Sequence, residues 1–448
     1  MVKNLNISNY YNKQQQDFSK DGLKIKSTAN DFIVQEINMK NEVAIIKPIV
    51  DLEKFLTAKE LLNNLPKGLS KEERKDFYDK TRYYPLIDLK TENGEFVTEE
   101  KDVNYFSFTV MKIDMSHNDL IGALAKSLSL PYKSFSFSGT KDKTAITFQE
   151  IGVKVSFKKL FTLAHTLIGQ FQDWKITELG YKTSINKIND KVKEILEYKT
   201  SINEINDKVN EMLGIEIPES NGSFYIFNIK KGSSLKLGQH SGNRFTIKIE
   251  NAPLLKKPLR YFLNYFGPQR FGNNCNNHLI GEKFLEKDYE GGIDLIYDSD
   301  AVGMSNMTKI QKFIKAQKNR NRTAKSIFYS LNREQQMMFL HAYQSFNFNF
   351  DINKALNNDK DLKYFILNEK DQYEEVSDIS KYNPDETFLD LHKGKSKFLK
   401  GGKRRFCEQI FNFKQEKINN YCVISFSLRK SAYATVVLRE MFGDVILQ

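Results

Sequence analysis

The residues with the clearest chemical potential lie in one short segment, Gly139-Thr140-Lys141-Asp142-Lys143-Thr144-Ala145-Ile146-Thr147-Phe148-Gln149. A polar turn there presents a carboxylate between two ammonium groups. Lys141 and Lys143 favour the charged form of Asp142 if they approach it, and a charged carboxylate suits nucleophilic work. Taken alone, the segment also reads as an ordinary surface hairpin turn, where Asp and Lys are routine. Other familiar constellations are missing. The chain has no G-x-x-x-x-G-K-[ST] or G-x-G-x-x-G phosphate loop and no G-x-S-x-G elbow. Cys275 and His278 have a C-x-x-H spacing without a second close ligand pair, so no metal site is expected. Cys407 and Cys422 read as packing residues.

The elements around the turn must position it. Asp31-Phe32-Ile33-Val34-Gln35-Glu36 reads as a short strand. Phe106, Phe108 and Val110 alternate with Ser107 and Thr109, the period-2 pattern of another. Ser116 and Asp119 form a capping box that opens a helix with Leu120, Ile121, Leu124 and Leu128 on one face. Phe135 to Ser138 and Ala145 to Val155 read as strands flanking the polar turn, and a helix from about Lys158 to Ile168 follows. The order of strands and helices predicts a mixed α/β fold. Residues 52 to 102 are charged and mixed, an insertion with one or two short helices. Residues 1 to 20 are Gln/Asn-rich and read as a disordered tail.

A second insertion spans about 178 to 218. Its segment 181–196, YKTSINKINDKVKEIL, recurs almost unchanged at 198–213. Each copy carries apolar residues at helical spacing, but the 17-residue period turns the second stripe by about 100°. Two short helices fit better than one straight coil.

Lys and Arg total 68 against 56 Asp and Glu, a net charge of +12. The composition excludes a fibrous or wholly disordered chain. No stretch reaches the roughly 18 apolar residues of a membrane span, so no membrane partner is expected. Three cysteines cannot form a disulfide framework, which points to a reducing compartment. The expected location is the cytoplasm, with the nucleus open for a eukaryotic source. Two acid-free basic runs, Lys309 to Lys325 and Lys393 to Arg405, favour phosphate contacts modestly over simple solvated faces.

The turn is not alone. Gly139 to Gln149 resembles the G-[TV]-K-D-[KR]-x-A-x-T-x-Q signature of the TruD family of tRNA pseudouridine synthases. Gly242-Asn243-Arg244-Phe245 resembles that family's G-N-x-F motif, and Asn264 to Gly272, NYFGPQRFG, resembles its N-Y-F-G-x-Q-R-F-G motif. Asp31 to Glu36 is similar to its early D-F-x-V-x-E strand. Tyr433 to Glu440 is similar to the segment that closes its catalytic domain, and Ser345 to Asn349, more loosely, to its S-x-x-F-N helix. The matches run in family order. Thr144 and the missing Leu-Pro before Tyr433 depart from the family pattern.

The resemblance implies a pseudouridine synthase catalytic domain on a bent, mixed, mainly antiparallel sheet, over 21–272 and 415–448. A TRUD domain would be inserted at 273–414. It implies isomerisation of uridine, usually uridine 13 of tRNA, with other RNAs as possible targets. Asp142 would be the nucleophile, attacking C1′ or C6 of a flipped-out base. Phe245 would stack on the uracil, and Asn243 would hydrogen-bond in the same pocket. Lys141 would pair with Asp142 or a phosphate, and Glu36 maps to an active-site acid. Lys143, Gln269 and Arg270 are candidate RNA contacts. No cofactor is implied, and a monomer without an obligate protein partner is expected. The rival reading is an RNA-binding or RNA-chaperone protein of the same fold without turnover.

Overall fold

A computed structural model describes residues 23–25, 29–170, 224–256, 259–272, 274–298, 309–358, 388–391, 402–443 and 445–447. The tail at 1–20 and the duplicated segment at 181–213 lie outside these residues. The chain forms two compact units. One comprises Leu23–Leu254 with Asn412–Lys430, and the other comprises Leu255–Phe411 with Ser431–Val445.

The first unit is built on an eight-stranded sheet. Its strands are β1 (Phe32–Ile37), β2 (Val103–Ile113), β3 (Phe135–Phe137), β4 (Ile146–Ser156), β5 (Phe224–Lys231), β6 (Gly242–Glu250), β7 (Phe411–Ile418) and β8 (Tyr421–Arg429). The order across the sheet is β7-β8-β6-β1-β4-β2-β5, with β3 added to β4. β1 and β4 run parallel, whereas β8–β6, β1–β6, β2–β4, β2–β5 and β3–β4 are antiparallel. The fold is the mixed α/β type that the order of elements predicts, and its sheet is mixed and mainly antiparallel, as the family resemblance implies.

β2 and β4 are long because β-branched and aromatic residues occupy both faces, and most of those positions are buried. Helices α3 (His117–Leu128) and α4 (Phe157–Gln170) cover one face, and their apolar stripes join the sheet core. Ser116 caps α3 through its hydroxyl, which accepts from the Asp119 backbone N–H at 3.1 Å. The insertion at 52–102 holds two helices, α1 (Leu52–Asn63) and α2 (Lys71–Thr81). It also holds a hairpin, Ile87–Glu92 with Glu95–Glu100, which the sequence reading did not foresee. Asn93 and Gly94, at φ 51° and 84°, make the left-handed two-residue turn such hairpins require.

Gly242 opens β6 where the β8 backbone presses against it. A Cβ built there would lie 2.1 Å from the Leu428 carbonyl oxygen. No side chain fits without parting the two strands. Gly242→Ala is expected to cost about 2–3 kcal/mol, as overpacking of a rigid contact does. Urea denaturation of the two proteins measures the loss.

The second unit is mainly helical. Helices α5 (Asn277–Leu285), α6 (Tyr289–Asp298), α7 (Lys309–Lys318), α8 (Ala324–Ser330) and α9 (Arg333–Asn358) pack around Ile280, Phe284, Ile293, Ile314, Phe328 and Phe339. A further helix, α10, spans Ala434–Phe442. Short strand pairs join Tyr261–Leu263 to Cys407–Gln409 and Phe388–Leu391 to Gly402–Arg405. Among the described residues no helix is long and apolar enough to cross a membrane.

Candidate active site

Side chains alternate between faces along a strand, so the registers fix which residues share a surface. On the helix-covered face, one cross-strand row reads Lys112, Thr147, Val34, Phe245, Phe426. On the same face, Val110 lies opposite Gln149, Glu36 opposite Asn243, and Asn243 opposite Leu428. Farther along β4 the face becomes apolar, with Ile151 and Val153 opposite Phe108 and Phe106. One end of an otherwise hydrophobic face is therefore polar and buried. The expected site residues Glu36, Asn243 and Phe245 all lie there.

The Asp142 turn leads into β4 at that end. Asp142 and Lys143 are exposed on it, while the Lys141 side chain turns inward. The Lys141 ammonium sits 2.7 Å from Glu36 Oε2, with the two side chains only 4% and 3% exposed. The other Glu36 oxygen, Oε1, accepts from the Glu150 backbone N–H at 3.3 Å. Lys141 therefore pairs with Glu36 and tethers the residue next to Asp142 to β1.

A second anchor escaped the sequence reading. Lys112, fully buried on β2, donates from Nζ to the Asp142 carbonyl oxygen and, at 2.8 Å, to the Met115 carbonyl oxygen. Burial pushes its ammonium down to about 8, against the attraction of Asp142. The signal was present in the sequence: Lys112 is the one charged residue at an inward position of an apolar strand. The sign of the pH effect follows. Between about 8 and the ordinary lysine value of about 10.4 the folded protein binds fewer protons than the unfolded chain, so unfolding becomes harder as pH rises. The stability of the wild type relative to Lys112→Met is expected to rise across that window, measured as denaturant midpoints at pH 7.5 and 10.

Phe245 is 6% exposed, with its ring against Phe32 at 6.0 Å and Phe426 at 5.6 Å. Two histidines nearby also went unread, and Gln149 was read only as the last residue of the motif. His117, the first residue of α3, meets Gln149 through Nδ1 at 3.4 Å and lies edge-on to Phe137. Burial, and then the Lys112 charge, lower its imidazole to about 4. His240 borders the turn at Gly139, and burial and Lys141 likewise push it down.

Gln269 and Arg270 belong to the second unit, in the short turn Pro268–Phe271. Gln269 is exposed, and its Oε1 accepts from the Thr435 hydroxyl at 3.0 Å. Arg270 donates to the Ser345 hydroxyl at 3.2 Å and lies over the Phe266 ring. The surrounding motif is knotted internally. The Asn349 carboxamide accepts from the Phe266 N–H and donates to its carbonyl oxygen. Arg404 belongs to the second basic run, yet it is buried, stacked on Phe266 at 4.0 Å, and donates to Asn264 Oδ1 at 2.7 Å. Within the first basic run, Lys318 pairs with Asp294 at 2.7 Å. Among the described residues no cluster of His, Cys, Asp and Glu could hold a metal ion.

The family model described as "tRNA pseudouridine synthase D (TruD)" matches residues 71–187 and 200–326, just over half of the chain. A "Probable tRNA pseudouridine synthase D" of Methanococcus maripaludis is 26% identical, the match covering 90% of this chain and 99% of that one. The protein of the same name from Methanococcus aeolicus is 27% identical, covering 86% of this chain and 98% of its own. A Methanosarcina mazei crystal structure solved under the TruD name aligns over 98% of this chain and 97% of its own, at 15% identity and a TM-score of 0.47.

Proposed function

We propose that this chain, which belongs to the TruD family of tRNA pseudouridine synthases, isomerises uridine 13 of tRNA with Asp142 as its nucleophile. The observation that carries this reading is the double anchoring of the Asp142 turn, by Lys112 and through Lys141 and Glu36, at the polar end of a buried sheet face.

Pseudouridine formation breaks the N1–C1′ bond, turns the uracil, and joins C5 to C1′ with loss of the C5 hydrogen to water. No electrons enter or leave. A carboxylate can open the sequence by attack at C1′, displacing the base, or by addition at C6. Either route requires the base to leave its stack. Phe245 supplies the aromatic face for the flipped uracil, and Asn243 supplies a carboxamide beside it. Lys143, Gln269 and Arg270 would contact the RNA backbone, and the +12 net charge favours that partner. The enzyme would act as a monomer in the cytoplasm, without an obligate protein partner.

A tRNA transcript carrying tritium at C5 of its uridines tests the activity and the position together. The wild type is expected to release one equivalent of tritium per tRNA, and none from a transcript with cytidine at position 13. Release from the altered transcript would sink the assignment of the position. Tight binding with no release from either would sink the enzyme reading and favour an RNA-binding protein.

A further inference from the structure

Buried polar atoms without partners are rare in folded proteins, and each calls for an explanation. Among the described residues of the first unit they are not scattered. Setting aside Glu36 Oε2, which has the Lys141 ammonium at 2.7 Å, they are His117 Nε2, Thr147 Oγ1, Gln149 Oε1, His240 Nδ1 and Asn243 Oδ1. Thr147, Gln149 and Asn243 share the polar end of the sheet face, and His117 reaches it through Gln149. This is the pattern of a site whose polar complement is a ligand.

Two of these atoms belong to one hydrogen-bonded pair. His117 Nδ1 and Gln149 Nε2 are 3.4 Å apart, which leaves His117 Nε2 and Gln149 Oε1 over. If the carboxamide nitrogen donates to Nδ1, the ring hydrogen sits on Nε2, and the pair offers one donor and one acceptor. Turning the carboxamide over reverses the roles and again leaves one of each. The imide edge of uracil has a donor, N3–H, flanked on both sides by carbonyl acceptors. It therefore meets such a pair in either order.

We infer that His117 and Gln149 are specificity residues that bind the imide edge of the target uracil, with one of them accepting from N3–H and the other donating to a flanking carbonyl. The inference rests on the uridine-isomerising function proposed above. The placement suits it. Thr147 lies opposite Lys112, whose ammonium holds the Asp142 carbonyl, and Gln149 is the next residue along that face. A base attacked from the Asp142 end would thus extend its far edge toward Gln149. The lowered imidazole fits as well, since a neutral ring keeps one donor and one acceptor nitrogen, as either arrangement of the pair requires.

The test compares tRNA carrying C5-tritiated uridine at the target position with the same RNA carrying C5-tritiated 3-methyluridine. The methyl group replaces N3–H and blocks that contact. Wild type is expected to favour uridine by roughly 10⁴-fold in kcat/KM, because a site built for a hydrogen bond rejects the analogue lacking it. Gln149→Ala removes the contact and makes room for the methyl, so this preference should fall at least tenfold. The ratio of the two substrates is independent of the fraction of variant folded. Should the alanine variant not fold, Gln149→Asn, shorter by one methylene, makes the same comparison.

An unchanged ratio with undiminished rates in the variant, or no discrimination by the wild type, would overturn the assignment and leave the pair as core. Equal loss on both RNAs with unchanged melting would overturn it too, by placing Gln149 in the chemical step. Release by the wild type from uridine RNA separates all these outcomes from a failure of the proposed activity. Its absence would remove that activity and this inference together.

Discussion

Replacing Asp142 with asparagine is expected to lower tritium release by about 10⁴-fold or more while tRNA affinity changes less than about threefold. A lost nucleophile removes the covalent route entirely, and such losses are among the largest seen for single residues. The substitution is unusually clean here. Lys112 holds Asp142 by its backbone carbonyl oxygen, and Lys141 holds the preceding residue through Glu36, so both contacts survive the change, and Lys112 loses only the longer-range attraction of the carboxylate. The asparagine side chain is isosteric and the position is exposed, so folding should be unaffected. Single-turnover release and filter binding on the same preparation measure both quantities. Release within tenfold of the wild type would remove Asp142 from the nucleophile's role.

The second large effect is on stability. Glu36→Ala is expected to cost about 3–5 kcal/mol, because it leaves the Lys141 ammonium buried without its counter-charge. Most of that cost belongs to the stranded charge and not to the lost attraction. The double variant Glu36→Met, Lys141→Met should therefore recover most of the stability, since buried ion pairs often exchange with apolar residues at little net cost. It should not recover activity. Without the pair the Asp142 turn loses its tether to β1, and small errors in placing a reacting group are costly. Urea denaturation and tritium release, run on both variants, separate the two effects. A double variant as unstable as the single one would show that the pair itself, and not charge desolvation, holds the turn.

Much of this arrangement was legible in the amino-acid sequence. The alternation through Phe106, Phe108 and Val110 fixed a strand, which extends in the structure to Val103–Ile113. Ser116 marked the start of a helix, and the motif residues Glu36, Asn243 and Phe245 marked one inward face once their strands were placed. These features are local: a period of two, a cap, a glycine with its neighbours. The sequence also determined the family, because its motifs occur in the family's order from Asp31 to Glu440.

What only the tertiary structure decided depends on partners far apart in the chain. Lys112 is marked only by its inward position on a strand, and Arg404 looks like an ordinary surface cation in a basic run, yet both are buried. Each is tolerated inside because other segments supply its acceptors: Met115 and Asp142 for one, Asn264 and Ser431 for the other. The need for glycine at 242 likewise comes from the Leu428 carbonyl, distant in sequence. The pairing of His117 with Gln149 exists because a helix start and the middle of a strand meet over one sheet face. Periodicity says which residues face the same way. Only packing says which buried polar atoms find each other, and which are left facing a ligand.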